Sequence, residues 1–179
     1  MEPTVATTRP ALVTVDDDPG VSRAVARDLR RRYGDRYRIV RAESGAETLA
    51  ALRELALRGE DVAVVLADHR MPGMTGVELL EQAMDLFPAA RRVLLTAYAD
   101  TEAAIEAINV VDLDYYLLKP WDPPEEKLYP VVDAQLEAWS ATDRRRPAET
   151  VVVGPRWSAR ASQVRAVRAR HRGPCRGGP

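Results

Sequence analysis

Residues 62–76 read VAVVLADHRMPGMTG. Six consecutive apolar residues run into an acid at Asp68, and a Met-Pro-Gly turn and a second glycine, Gly76, follow at once. A short run that is apolar on successive residues, rather than on alternate ones, is expected of a strand covered on both faces. A carboxylate at the tip of such a strand is costly to desolvate unless it has partners. The fold and the function both turn on why Asp68 is there.

Working outward, the same grammar repeats. Upstream, ALVTV (11–15) is a β-branched run that ends on Asp16, Asp17 and Asp18 before Pro19-Gly20. Residues 21–32, VSRAVARDLRRR, place Val21, Val25 and Leu29 four apart, one apolar stripe on a charged helix that Gly34 ends. RYRIVRA (36–42) reads as a second strand. Ser44 with Glu47 three later forms a capping-box pattern that opens a helix carrying Leu49, Leu52 and Leu55, stopped by Gly59. Downstream, GVELLEQAMDLF (76–87) reads as helix, RRVLLTA (91–97) as strand, DTEAAIEAINVV (100–111) as helix and DYYLLK (114–119) as strand. A fifth helix is expected over about 125–139, with Pro130 either kinking it or delaying its start. Five strands alternating with helices predict an α/β fold, a doubly wound parallel sheet.

The totals agree with one domain and a remainder. The chain has 179 residues, 46% of them hydrophobic, which suffices for one core. Its net charge of −1 is unevenly spread: residues 141–179 hold ten arginines against Asp143 and Glu149. Residues 141–150 read as a linker. Residues 151–179, beginning VVVGPRWS, read as a basic segment, disordered or the truncated start of an output domain. Cys175 is the single cysteine, so no intrachain disulfide can form. The start, MEPTVATTRP, has no apolar signal core, and no run approaches the roughly 20 apolar residues of a membrane span. A soluble, cytoplasmic protein is expected, with no membrane contact. The arginine-rich tail is the sole support for nucleic-acid contact, which is not expected as a partner.

In an open α/β sheet, ligands bind beyond the carboxyl ends of the strands. The polar residues there are Asp16 and Asp17 after the first strand, Asp68 after the third, Thr96 after the fourth and Lys119 after the fifth. Three clustered carboxylates repel one another, and an oxygen-ligated Mg²⁺ would hold them together. A hydroxyl and an ammonium beside them suit a phosphoryl group, with Asp68 as the nucleophile that becomes an aspartyl phosphate.

In this order and spacing, VTVDDDPGVSRAV, VVLADHRMPGMTGVELL, VLLTAYAD and YYLLKPWDP resemble the receiver domain of two-component response regulators, over residues 10–140. The resemblance implies a flavodoxin-like (βα)5 fold with strand order 2-1-3-4-5. It implies that Asp68 is the phosphoacceptor, Asp16 and Asp17 the metal-binding acids, and Arg70 a further ligand through its main-chain carbonyl. It makes Thr96 the switch hydroxyl, Lys119 the phosphate-pairing lysine and Tyr116 the aromatic that changes rotamer. Lys119-Pro120 would be a cis peptide. Mg²⁺ is the implied cofactor, a sensor histidine kinase the upstream partner and an effector protein the downstream one. Pairing of two copies through the face of the fourth helix, fifth strand and fifth helix is a further family expectation. The implied function is that of a non-enzymatic signalling module.

Blander readings stand beside several of these. Asp18, next to Pro19, is open between a helix cap and a member of the acid cluster. Tyr115 and Tyr116 point to opposite faces of a strand, so one of them is expected to be core. His69 reads as a solvent-facing loop residue, and Arg70 and Tyr98 as flanking the pocket entrance. A phosphatase of the haloacid-dehalogenase type also uses an aspartate nucleophile, but needs a second acid two residues on, where this chain has Arg70. A narrower likeness is to receivers fused to an FAD-dependent, thioredoxin-reductase-like protein. The alternative function is therefore an N-terminal regulatory fragment of such an enzyme. This chain carries no G-x-G-x-x-G fingerprint and no C-x-x-C pair to support flavin chemistry.

Overall fold

The computed structural model describes residues 9–97 and 113–143. The expected fourth helix (100–111), Tyr98 and the segments 144–150 and 151–179 lie outside the described residues. The chain divides into two compact units, Met1–Ala141 and Thr142–Pro179, and the fold described here is that of the first.

Five strands, β1 (Ala11–Val15), β2 (Arg38–Ala42), β3 (Val62–Asp68), β4 (Arg91–Thr96) and β5 (Tyr115–Leu118), form one sheet in the order β2-β1-β3-β4-β5. Every neighbouring pair is parallel. Helices α1 (Pro19–Tyr33), α2 (Gly45–Leu57) and α3 (Gly76–Leu86) and a last helix, α4 (Leu128–Asp143), cover its two faces. This is the doubly wound order that the sequence resemblance implied.

Residues of the central strands β1, β3 and β4 divide between two separate cores, which is why these strands carry consecutive apolar residues. Val13, Val15, Val65, Ala67 and Leu94 pack with Leu49, Leu52 and Leu55 of α2 and Leu79 and Leu80 of α3. Leu12, Val64, Leu66, Val93 and Leu95 pack on the other face with Val25, Leu29 and Tyr33 of α1 and Leu128, Val132 and Leu136 of the last helix.

The helix ends show which local signals were decisive. Asp18 is the N-cap of α1, its Oδ1 accepting from the Gly20 and Val21 N–H groups at 2.7 and 3.1 Å. Pro19 therefore sits inside the first turn, where its missing N–H costs nothing, and the helix begins two residues before the apolar stripe. The backbone donors hold the Asp18 carboxyl below its ordinary 3.8. A depressed folded value means stability that is present at neutral pH and lost as pH falls below 3.8 toward that lower value. Asp18→Asn keeps a good cap but removes the titration, so acid unfolding of this variant is expected at lower pH than in the unmodified chain, as followed by circular dichroism.

Ser44 caps α2 by accepting from the Glu47 N–H, but the Glu47 carboxylate reaches back to the Glu43 N–H at 2.8 Å, not to that of Ser44. The full reciprocal box is at α3, where Thr75 and Glu78 exchange backbone bonds. Thr75→Ala is expected to cost about 1 kcal/mol, measurable as a shift in the urea midpoint. Pro130 delays the last helix instead of kinking it: the helix starts at Leu128, so the proline falls in the first turn. The second strand starts at Arg38 rather than residue 36, because the Arg36 and Tyr37 N–H groups both close turns onto the Tyr33 carbonyl.

The expectation for the two tyrosines fails. Neither Tyr115 nor Tyr116 is core: they are 47% and 42% exposed, their rings stacked with centroids 6.0 Å apart. β5 is the edge strand of the sheet, paired with β4 alone among the described residues. Among the described residues, no helix is long and apolar enough to cross a membrane.

Candidate functional site

Parallel registry brings the strand ends together. Val15 is level with Ala67, Asp68 with Leu95 and Thr96 with Leu118. The residues at or one step past this row are Asp16, Asp68, Thr96 and Lys119, from four different parts of the sequence.

The Lys119 Nζ lies 2.5 Å from an Asp16 carboxylate oxygen and 2.6 Å from one of Asp68. Asp17 joins them: one oxygen of each of Asp16, Asp17 and Asp68 lies within 4.8 Å of the others. Asp16 and Asp68 are buried and Asp17 is exposed. The second oxygen of each buried acid is held by main chain, Asp16 Oδ1 by the Asp18 N–H at 3.0 Å and Asp68 Oδ2 by the Arg70 N–H at 3.2 Å. Both carboxylates are thus fixed in direction by the loops that follow their strands.

The electrostatics follow from burial. Desolvation pushes the Asp16 carboxyl above its ordinary value, opposed by the hydrogen bond and charge of Lys119. For Lys119, burial works against the charge, but hydrogen bonds to Asp16 and Asp68 outweigh it and leave the ammonium above its ordinary value. Lys119 is therefore a charged group held among acids. Lys119-Pro120 is cis, as the sequence resemblance implied, and Asp122-Pro123 is cis as well.

Thr96 is buried, its hydroxyl donating to the Ala97 carbonyl at 3.2 Å. Tyr116 stands on the neighbouring strand, level with Leu94 and open to solvent. Arg70 is exposed at the rim, and His69 is half-buried rather than solvent-facing, because its N–H extends the sheet by bonding the Leu95 carbonyl at 2.8 Å.

Two features of the site were not read from the sequence. Gly76, the first residue of α3, passes so close to the end of β3 that a Cβ there would lie 2.2 Å from the Asp68 carbonyl oxygen. Trp121, two residues past Lys119, is buried and donates to Asp28 of α1. The T-x-x-E pattern of Thr75 and Glu78 was the available signal for the first, since it sets where α3 begins. For the second, Asp28 falls three residues after Val25 and so on the apolar side of α1.

A family model for the response regulator receiver domain matches residues 12–128. The hydrogenase transcriptional regulatory protein HoxA of Cupriavidus necator is 37% identical over 113 residues, 63% of this chain and 22% of that protein. The transcriptional regulatory protein ZraR of Escherichia coli K12 is 33% identical over 140 residues, 78% of this chain and 29% of that protein. The chain thus spans less than a third of the length of these curated relatives. Among solved structures, a CheY-like response regulator receiver domain protein from Methanospirillum hungatei superposes with a TM-score of 0.63 at 26% identity, covering 75% of this chain and 99% of that one. The match over most of the sheet and all of the strand-end acids leads to one conclusion: the chain belongs to the response regulator receiver domain family.

Proposed function

We propose that this chain takes a phosphoryl group from the phosphohistidine of a sensor histidine kinase onto Asp68. The observation that carries the reading is the Lys119 ammonium seated between the buried carboxylates of Asp16 and Asp68, with Asp17 alongside. A carboxylate oxygen of Asp68 attacks phosphorus, the P–N bond breaks, and the imidazole leaves with its electron pair and takes up a proton. Lys119 sits where it can neutralise a phosphoryl oxygen, and the Thr96 hydroxyl exchanges the Ala97 carbonyl for another.

The donor set fits a hard cation. Three carboxylate oxygens within 4.8 Å of one another suit Mg²⁺, whose ligands lie about 2.1 Å from the ion. Asp16, Asp17 and Asp68 would hold it, with the Arg70 carbonyl as a further ligand. When bound, Mg²⁺ supplies positive charge to the acids and to the transferring phosphoryl oxygens.

Within this reading the module does no further chemistry in the cytoplasm and passes its state, through Thr96 and Tyr116, to an effector or a second copy docking at the β5 and last-helix face. Residues 10–140 act as the receiver, 141–150 as a linker and 151–179 as a basic appendage. The relatives named above are regulators and receivers, and none supports the alternative of a reductase fragment. The test is intact-mass measurement after incubation with acetyl phosphate. One added phosphoryl mass is expected with Mg²⁺ and none with excess EDTA, and uptake that ignores the metal would contradict the site.

A further inference from the structure

Asp28 is an acid on the buried side of an arginine-rich helix, 5% exposed within the core that α1 shares with the last helix. Burying a carboxylate in an apolar seam is unfavourable unless its oxygens are satisfied. Its Oδ1 accepts from its neighbour Arg27 at 3.0 and 3.1 Å. Its Oδ2 accepts from the indole Nε1 of Trp121 at 3.2 Å, and its main-chain carbonyl accepts from the Tyr129 hydroxyl at 3.2 Å. One residue of α1 thus ties down both the loop after β5 and the start of the last helix. A leucine would fill the same seam with less desolvation cost, so the carboxylate calls for a reason beyond packing.

The position of Trp121 supplies one. Only Pro120 separates it from Lys119, and Lys119 is held on its other side by its N–H bond to the Thr96 carbonyl at 2.8 Å. The chain that carries the ammonium is therefore pinned at two points, one in the sheet and one on α1, with the Lys127 ammonium adding a longer bond of 3.4 Å to the Pro120 carbonyl. We propose that Asp28 and Trp121 are a positioning pair for the phosphotransfer reaction: the indole–carboxylate bond fixes the loop after β5 and so sets where the Lys119 ammonium stands between Asp16 and Asp68. The inference rests on the assignment of Lys119 to the phosphoryl group.

Trp121→Phe keeps the buried ring and removes only the N–H, and Asp28→Leu removes the acceptor, whereas Asp28→Asn keeps an oxygen that can accept from the indole. Initial rates of phosphorylation by acetyl phosphate with saturating Mg²⁺ are to be measured on the full chain, with thermal melts confirming that each variant is folded. Trp121→Phe and Asp28→Leu are expected to slow the reaction about tenfold, since misplacement of a catalytic group by an ångström or less costs on that order, and Asp28→Asn to stay within about threefold. In a Lys119→Ala background, Trp121→Phe is expected to have no further effect, because residues acting through one group do not add. Unchanged rates in Trp121→Phe, equal losses in the Leu and Asn variants of Asp28, or the same loss with and without Lys119 would each overturn the pair. If Lys119→Ala alone left the rate untouched, the assignment of Lys119 itself would fall, and the pair with it.

Discussion

Asp68→Asn is expected to take up no phosphoryl group from acetyl phosphate under conditions in which the unmodified chain gains one. The amide oxygen is not a nucleophile toward phosphorus, while the substitution changes little else. The amide still offers an oxygen to the Arg70 N–H that now bonds Asp68 at 3.2 Å, and Lys119 keeps Asp16 at 2.5 Å. The usual penalty for breaking a buried ion pair comes from stranding one charge, and here the ammonium is not stranded. Removing one of three acids within 4.8 Å of one another also relieves repulsion. The variant should therefore melt at or above the temperature of the unmodified chain while losing function entirely. Partial labelling, or a large loss of stability, would place the nucleophile elsewhere or assign Asp68 a structural role.

Gly76→Ala should do the opposite, damaging fold and function together. The added Cβ would meet the Asp68 carbonyl oxygen at 2.2 Å, its carbon at 2.9 Å and Leu94 Cδ1 at 2.9 Å. Leu94 can rotate, but the main chain of β3 can move only by displacing Asp68. Overpacking of this kind costs about 1–3 kcal/mol and at times more; we expect about 3, a fall in melting temperature of roughly 6–12 °C. Because Asp68 moves with its carbonyl, phosphorylation should also slow by at least about tenfold. Gly45→Ala is the control: the three atoms nearest its Cβ all belong to the Met74 side chain, the sulfur at 2.8 Å, Cβ at 3.1 Å and Cγ at 3.2 Å, with no main-chain atom among them. A flexible thioether can yield, so a change within about 1 kcal/mol is expected there. Equal effects at the two glycines would show that the close approach at Gly76 is unimportant.

The contrast between what the sequence revealed and what it hid follows from the range of the interactions. Asp16, Asp17, Asp68, Thr96 and Lys119 were legible because each follows an apolar run, and parallel pairing then aligns the ends of such runs without further information. Asp18 was ambiguous because a cap and a metal ligand occupy the same place after a strand; the bonds from Gly20 and Val21 settle it as the cap of α1. Tyr115 and Tyr116 were misjudged because alternation assigns faces but says nothing of how deeply a face is buried, and both rings are exposed. The Asp28 to Trp121 bond joins residues 93 apart in sequence, a distance over which no local pattern carries. Gly76 looked like punctuation, and only the path of α3 past the end of β3 shows how closely it approaches the Asp68 main chain.

The most direct test of the central claim is to label the unmodified chain with acetyl phosphate and Mg²⁺, reduce the acyl phosphate with borohydride, and map the product by peptide mass spectrometry. An aspartyl phosphate is converted to homoserine at the modified residue alone. Conversion at residue 68 and nowhere else is the expected result, and conversion at Asp16, Asp17 or another acid, or at none, would contradict it.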